Sequence, residues 1–537
     1  MTFPSWQYLI LFLPAACVVH EVLARRDARL SVLFLIAASF VFYGMVAGHS
    51  VLVLAASVLG NGLVGRLLLR RDASMAVRRL ILGGGVVANI VLILWIRGFE
   101  PVLGAHGGGY QAGLAGLTFV SIGVSFYSLQ QIAFLFDCHR GVIRDFRPTT
   151  FTLASVFFPH LLAGPIVRYR EMVGQIEAPR EKRTPPDNVA MGLTLITVGI
   201  AKHMMLAQPL REYMSPVLDN TSGLYIPVFP EAGVILLALT LFIYFDFSAY
   251  SDMACGAACL LGYRMPVNFL SPLEAFNPAE FWRRWHITLS RFMRDYVFLP
   301  INAMTVRFLK RRGIVREEVP VVAATMTTFL AMGLWHGTGE TFIAWGLATG
   351  MLVSMAQVVG LRRTRGGEGT SGKGLIGKMA TGIGVGLFML ATTSLFMSPT
   401  LEQAVQLMRG LVGLNGVSLS GALSVPLGPL VSQEWLGTWI VFEGWFPGSG
   451  INNGFSNLPF LMVLLGGTLI GYVVPSIYRW MAPHRPILEK VPALGGFWAR
   501  LRWKPRPAWG IVMGALAMMA LGLLANADAG GFLYFRF

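Results

Sequence analysis

Two short stretches hold the residues best suited to chemistry. Residues 333–337 read Gly-Leu-Trp-His-Gly and close an apolar run that starts near Val319. His336 thus stands at the end of a segment of membrane-crossing length, where an ionisable side chain is costly and defaults to a functional reading. Fifty positions earlier, His286 closes the aromatic and basic stretch Phe281-Trp-Arg-Arg-Trp-His286. Imidazoles in such places can orient a hydroxyl or take its proton. The flanking Gly333, Gly337 and Gly339 let another backbone or a substrate come close. The plain alternative, a histidine that only hydrogen-bonds a neighbouring helix, stays open.

The element carrying His286 is predicted as one amphipathic helix over 277–299. Asn277 is a good N-cap, Pro278 suits the first helical position, and Glu280 completes a capping-box pattern. Phe281, Trp285, Leu289, Phe292 and Tyr296 recur on one face; Arg283, Arg284, Arg291 and Arg294 fill the other half. His286 falls at the border. Such a helix is either an interfacial anchor with a bystander histidine or the wall of a cytoplasmic funnel. In the second case Arg283, Arg284 and Arg291 would meet the phosphates of an anionic donor. Asp246 and Asp252, in Tyr244-Phe-Asp-Phe-Ser-Ala-Tyr-Ser-Asp252, are expected to pair with these arginines as buried carboxylates must pair. His160 and His139 are expected to pack or cap. His20, His49, His106, His203 and His484 suggest nothing specific.

The remaining chain supplies the scaffold. Of 537 residues, 55% are hydrophobic and 13% charged, with mean hydropathy +0.61; soluble proteins carry about a quarter charged. Apolar runs are predicted as spans at roughly 6–23, 30–47, 50–69, 80–96, 113–136, 188–206, 232–261, 319–337, 341–360, 380–397, 459–478 and 508–526. The fold class is an all-α polytopic membrane protein of about 12 transmembrane helices. The net charge of +16 sits in arginine clusters between spans, which reads as positive-inside bias and not as nucleic-acid binding. If every span crosses, all clusters fall on one side, giving N-out, C-out topology. No positive charge precedes the first apolar stretch, so it reads as a retained helix. Residues 150–183, with Phe-Phe-Pro-His-Leu-Leu-Ala-Gly-Pro, suggest a re-entrant segment. Residues 361–378 read as a Gly-rich cytoplasmic loop and 398–458 as an outer region. The four cysteines are read as apolar core residues, neither metal site nor disulfide. There is no Walker loop, GxSxG elbow, HExxH or dinucleotide fingerprint. A channel or exporter without catalysis remains a possible class, since broken helices and paired charges line transport paths too.

The chain resembles the membrane-bound O-acyltransferases, within them the bacterial alginate O-acetylation and teichoic-acid D-alanyl transfer branch. The resemblance rests on Val120-Ser-Ile-Gly-Val-Ser-Phe-Tyr, Phe157-Phe-Pro-His-Leu-Leu-Ala-Gly-Pro-Ile, Tyr244-Phe-Asp-Phe-Ser-Ala-Tyr-Ser-Asp-Met-Ala, Glu280-Phe-Trp-Arg-Arg-Trp-His-Ile-Thr-Leu-Ser, Gly333-Leu-Trp-His-Gly and Phe532-Leu-Tyr-Phe-Arg-Phe, in family order. It implies helices around a central tunnel, with His336 as catalytic histidine and His286 as its paired polar position. It implies N-terminal transmembrane helices at 1–112, a catalytic core at 113–397, and an outer loop with C-terminal transmembrane helices at 398–537. Phe396-Met-Ser-Pro departs from the expected Phe-Arg-Ala, and the Gly-rich basic insert is a second departure. The implied reaction moves an acyl group, acetyl above all, from a cytoplasmic thioester to a periplasmic exopolysaccharide such as alginate. His336 would serve the acceptor hydroxyl, and His286 would position the thioester or stabilise its oxyanion. No cofactor is implied; acetyl-CoA or another acyl thioester is the donor substrate. The implied partners are membrane lipid, periplasmic O-acetylation proteins and the polymer, in a bacterial inner membrane with both termini periplasmic. D-alanyl transfer is the alternative within the family.

Overall fold

A computed structural model of the chain describes residues 5–70, 72–98, 111–114, 117–120, 122–178, 186–218, 226–365, 375–419, 440–442 and 458–526. The protein is a helical, multi-pass membrane protein. Among the described residues nine helices are long and apolar enough to cross a membrane: Gln7–Arg26, Ala28–Ala47, Ser50–Leu68, Met75–Trp95, Asp187–Met214, Glu231–Leu260, Glu318–His336, Glu340–Leu361 and Pro507–Ala525. Two shorter apolar helices, Gly382–Met397 and Pro459–Val473, fall where two further spans are expected. The span expected at 113–136 differs. Strands Gln111–Leu114 and Leu117–Val120 pair antiparallel, and helix begins only at Val124, after Gly123 at φ +80°. A second short pair joins Val417–Leu419 to Ile440–Phe442. The closing motif at 532–537, His106 and residues 366–374 of the Gly-rich stretch lie outside the described residues, while the ends of that stretch, expected as loop, continue the helices Glu340–Arg365 and Leu375–Met397.

Helix Glu231–Leu260 is the central column. Its 30 residues are mostly apolar, with no polar face, and 83% of its most apolar window is buried, as expected for a helix with neighbours all round. Beside it, the short helix Phe158–Leu161 is fully buried, and Pro148–Val156 is buried over most of its length, with Pro148 and Thr149 exposed. Their broken backbone survives there because side chains take up the loose amides. The Phe158 N–H donates to Ser39 Oγ (3.1 Å), and the Ile166 N–H donates to Thr288 Oγ1 (2.9 Å).

The stretch predicted as one helix over 277–299 is two helices. Pro278–Arg284 ends at Trp285 in an extended conformation, His286 takes φ +40° and ψ +54°, and Ile287–Met293 follows. The expected start is present: Asn277 Oδ1 accepts from the Glu280 N–H at 2.8 Å. The break has a tertiary cause. The Ile287 N–H donates to the Asn268 carbonyl (2.9 Å), and the Leu270 N–H to the Arg284 carbonyl (3.0 Å). Bonds to a neighbouring segment thus override a local periodicity that favours continuous helix. Beyond Met293, a wider turn at Arg294–Phe298 leads into Leu299–Arg311.

Candidate functional site

His286 and His336 line one small chamber. Trp282, Trp285, Trp345 and Phe396 close around them, and the volume is about 60 Å³. That is room for roughly four to six water molecules at about 10–15 Å³ each. Among the described residues no carboxylate lines it.

His336 is the last residue of Glu318–His336. That helix crosses Glu340–Arg365 closely because two contact positions lack side chains. A Cβ on Gly346 would lie 2.6 Å from the Phe329 carbonyl oxygen, and one on Gly333 would strike the Phe342 carbonyl. The crossing sets Trp345 edge-on to the His336 ring, with centroids 5.5 Å apart. Phe396, from Leu375–Met397, approaches from another side at 4.8 Å. Phe396 lines the chamber wall, and the departure from the expected pattern begins at the next residue, Met397.

His286 projects inward because the chain leaves the helix at that residue. Its Nδ1 lies 3.0 Å from Asn268 Oδ1, which also accepts from Thr288 Oγ1 at 2.9 Å. Asn268 Nδ2 donates to Ser251 Oγ at 3.2 Å, on the central column. This network assigns the Asn268 amide. A carboxamide oxygen only accepts, so His286 Nδ1 carries the proton. Burial pushes the imidazole down to about 3, so it is neutral, with its lone pair on Nε2. Nitrogen NMR of histidine-labelled protein in lipid near neutral pH should show this ring neutral and protonated on Nδ1, its signals identified by their loss in H286N. A charged ring, or a proton on Nε2, would contradict the assignment.

A second, larger cavity of about 560 Å³ lies beside the chamber, lined in part by Arg283, Arg291, Arg294, Ser290, Thr325 and Gln357. Among the described residues no carboxylate lines it, and a concave wall of one charge sign favours an anionic ligand. The three arginines singled out from sequence divide here. Arg283 lines the cavity and is exposed. Arg291 lines it too, but pairs with Glu489 and, at 3.8 Å, with Glu171. Arg284 is outside it, held by Glu280 (2.8 Å) and Glu274 (3.3 Å). Arg294, not among the three, takes its place in the wall. At the edge of this region Asp295 accepts from Arg168 Nη1 at 2.7 Å. Burial alone would raise its carboxyl, but the Arg294 and Arg168 hydrogen bonds bring it below the usual range.

The buried carboxylates of the central column find other partners than expected. Asp246 pairs with His203 Nδ1 (2.9 Å), and Asp252 with Lys202 Nζ (2.7 Å). Arg284, Arg291 and Arg294 lie instead against Glu274, Glu280, Glu171, Glu489 and Asp295. His203 suggests nothing specific by itself, but Lys202 and His203 stand side by side near the end of an apolar run, and that adjacency is the sequence signal for these partners. His160 packs, as expected: it is fully buried against Phe157, its Nδ1 3.1 Å from Gln130 Nε2. Among the described residues no group of three His, Cys, Asp or Glu could hold a metal ion.

Comparison with known proteins agrees with this architecture. Residues 146–365 match the sequence profile of the MBOAT, membrane-bound O-acyltransferase family. The chain is 30% identical over 440 residues to the peptidoglycan O-acetyltransferase of Helicobacter pylori, covering 77% of this chain and 80% of that protein. It is 31% identical over 366 residues to the probable alginate O-acetylase AlgI of Pseudomonas fluorescens, 67% of each. With the teichoic acid D-alanyltransferase of Bacillus subtilis it shares 25% identity over 43% of this chain and 58% of that one.

Proposed function

The chain belongs to the membrane-bound O-acyltransferase family, and from that premise we propose that it transfers acetyl from a cytoplasmic thioester to a hydroxyl of a polysaccharide outside the inner membrane. The observation that carries this is the shared chamber of His286 and His336, beside a larger arginine-lined cavity. The larger cavity holds the donor, with Arg283 and Arg294 toward the phosphates of acetyl-CoA or of another carrier thioester. In the chamber, His336 takes the proton of the acceptor hydroxyl while its oxygen bonds to the acyl carbon. The carbon–sulfur bond breaks, and the proton passes to the departing thiolate. His286 positions the reactants as a hydrogen-bond acceptor at Nε2. Because its Nδ1–H is held by Asn268, an oxyanion role for this ring would need the imidazolium, which burial disfavours. Oxyanion stabilisation falls to another donor of the chamber wall.

The acetyl group is favoured over D-alanyl by the lining. A D-alanyl ester carries an ammonium, and among the described residues no carboxylate of the chamber wall would meet it. The acceptor is an exopolysaccharide such as alginate, reached through periplasmic partner proteins. The Helicobacter relative supports peptidoglycan as a second acceptor reading. Both termini are periplasmic in this proposal, which requires the buried helix Val124–His139 to complete a crossing. Deleting the gene in its own cell and measuring ester-linked acetate separately on exopolysaccharide and on peptidoglycan tests the proposal. Loss from exopolysaccharide is expected. Loss from peptidoglycan alone would favour the second reading, and unchanged acetate on both would refute acetyl transfer to either.

A further inference from the structure

Among the described residues, Trp282 alone lines both cavities. Its side chain borders both the space of about 560 Å³ and the one of about 60 Å³. The ring is held on two sides, edge-on to Phe329 with centroids 5.1 Å apart and to Trp345 at 5.9 Å. Its backbone is fixed as well, on the helix capped by Asn277. A rigid aromatic plate shared by the walls of two cavities would limit the size of what passes between them, because packed interiors yield little.

The indole nitrogen makes a second, independent point. Trp282 Nε1 is buried and has no hydrogen-bond partner among the described residues. A buried tryptophan N–H normally has one, and an exception calls for an explanation. A ligand carbonyl at the junction would supply the missing acceptor.

We propose that Trp282 is the specificity-determining residue of the acyl group. Its ring admits acetyl and excludes longer chains, and its N–H donates to the thioester carbonyl once that group enters the chamber. The same N–H then supplies the oxyanion stabilisation that the neutral, Nδ1-protonated His286 does not. This inference rests on the proposed acetyl transfer from a thioester in the larger cavity.

The test uses the full-length protein in lipid nanodiscs, with acetyl-, propionyl- and butyryl-coenzyme A as probes and thiol release as the readout. W282A and W282L remove the plate to different degrees, and W282F keeps an aromatic ring but removes the N–H. Only variants that elute and melt like the wild type are compared. In W282A the butyryl-to-acetyl ratio of kcat/KM should rise at least about tenfold, with W282L between it and the wild type. W282F should keep the wild-type ratio but lose about tenfold or more in kcat for acetyl. An unchanged ratio in W282A and W282L would overturn the sieve, and an undiminished kcat in W282F would overturn the carbonyl contact. Wild type that releases no thiol from any of the three probes would count against the donor reading itself, apart from either role of Trp282.

Discussion

His336→Ala should lower acyl transfer by about 10²–10⁴-fold, the usual worth of a positioned general base. The variant also removes a ring packed against Phe396, Phe342 and Trp345, so an opened chamber could mimic a lost base. H336Q separates the two effects. Glutamine keeps most of the volume and a hydrogen-bonding end, but cannot accept a proton at neutral pH. Both variants should lose transfer to a similar extent while the protein remains in the membrane at wild-type levels. The measurement is ester-linked acetate on the polymer at matched protein abundance. If H336Q transfers nearly as well as wild type, the imidazole is a wall residue and the proposed chemistry lies elsewhere.

The second large effect concerns folding. Lys202→Met leaves Asp252, whose side chain is 4% exposed, without its cation at 2.7 Å. A carboxylate stranded in the interior costs about 3–5 kcal/mol, whereas replacing both charges by apolar groups is often neutral or better. K202M should therefore reduce the folded protein recovered in detergent and lower its melting temperature, and K202M/D252L should recover most of the loss. The pair joins the helix that ends at Lys202 to the central column Glu231–Leu260. Fluorescence-detected gel filtration of tagged protein reads both quantities. A double variant as unstable as K202M would show that the Lys202 aliphatic stem, not the charge pair, holds the two helices together.

The scaffold was legible for a simple reason. Hydrocarbon thickness imposes a length on every crossing helix, so runs such as 50–69 and 232–261 announce Ser50–Leu68 and Glu231–Leu260 almost to the residue. His336 was legible because an imidazole ending an apolar run is conspicuous. The chamber partner of that residue was legible as a residue but not as a geometry. The apolar face of 277–299 points to continuous helix, and nothing local reveals that Asn268, eighteen positions before His286, takes the Ile287 amide and turns the ring inward. The ion pairs failed for the same cause. Charge and spacing say that Asp246 and Asp252 need partners, but only the packing of Pro186–Lys202 and His203–Ala207 on the column decides which cations arrive. Trp282 reads from sequence as one more ring on an aromatic helix; its place between two cavities exists only in three dimensions.

The left-handed backbone at His286 changes how genetic data at that position should be interpreted. Residues other than Gly, Asn, Asp and His adopt φ +40° reluctantly. An alanine there exchanges the imidazole and, in the same stroke, presses the joint between Pro278–Arg284 and Ile287–Met293 back toward helix. Loss of output in such an allele reports on a hinge as much as on a ring. Asparagine tolerates the joint while lacking the imidazole, so the difference between H286N and H286A apportions the phenotype between main-chain geometry and side-chain chemistry.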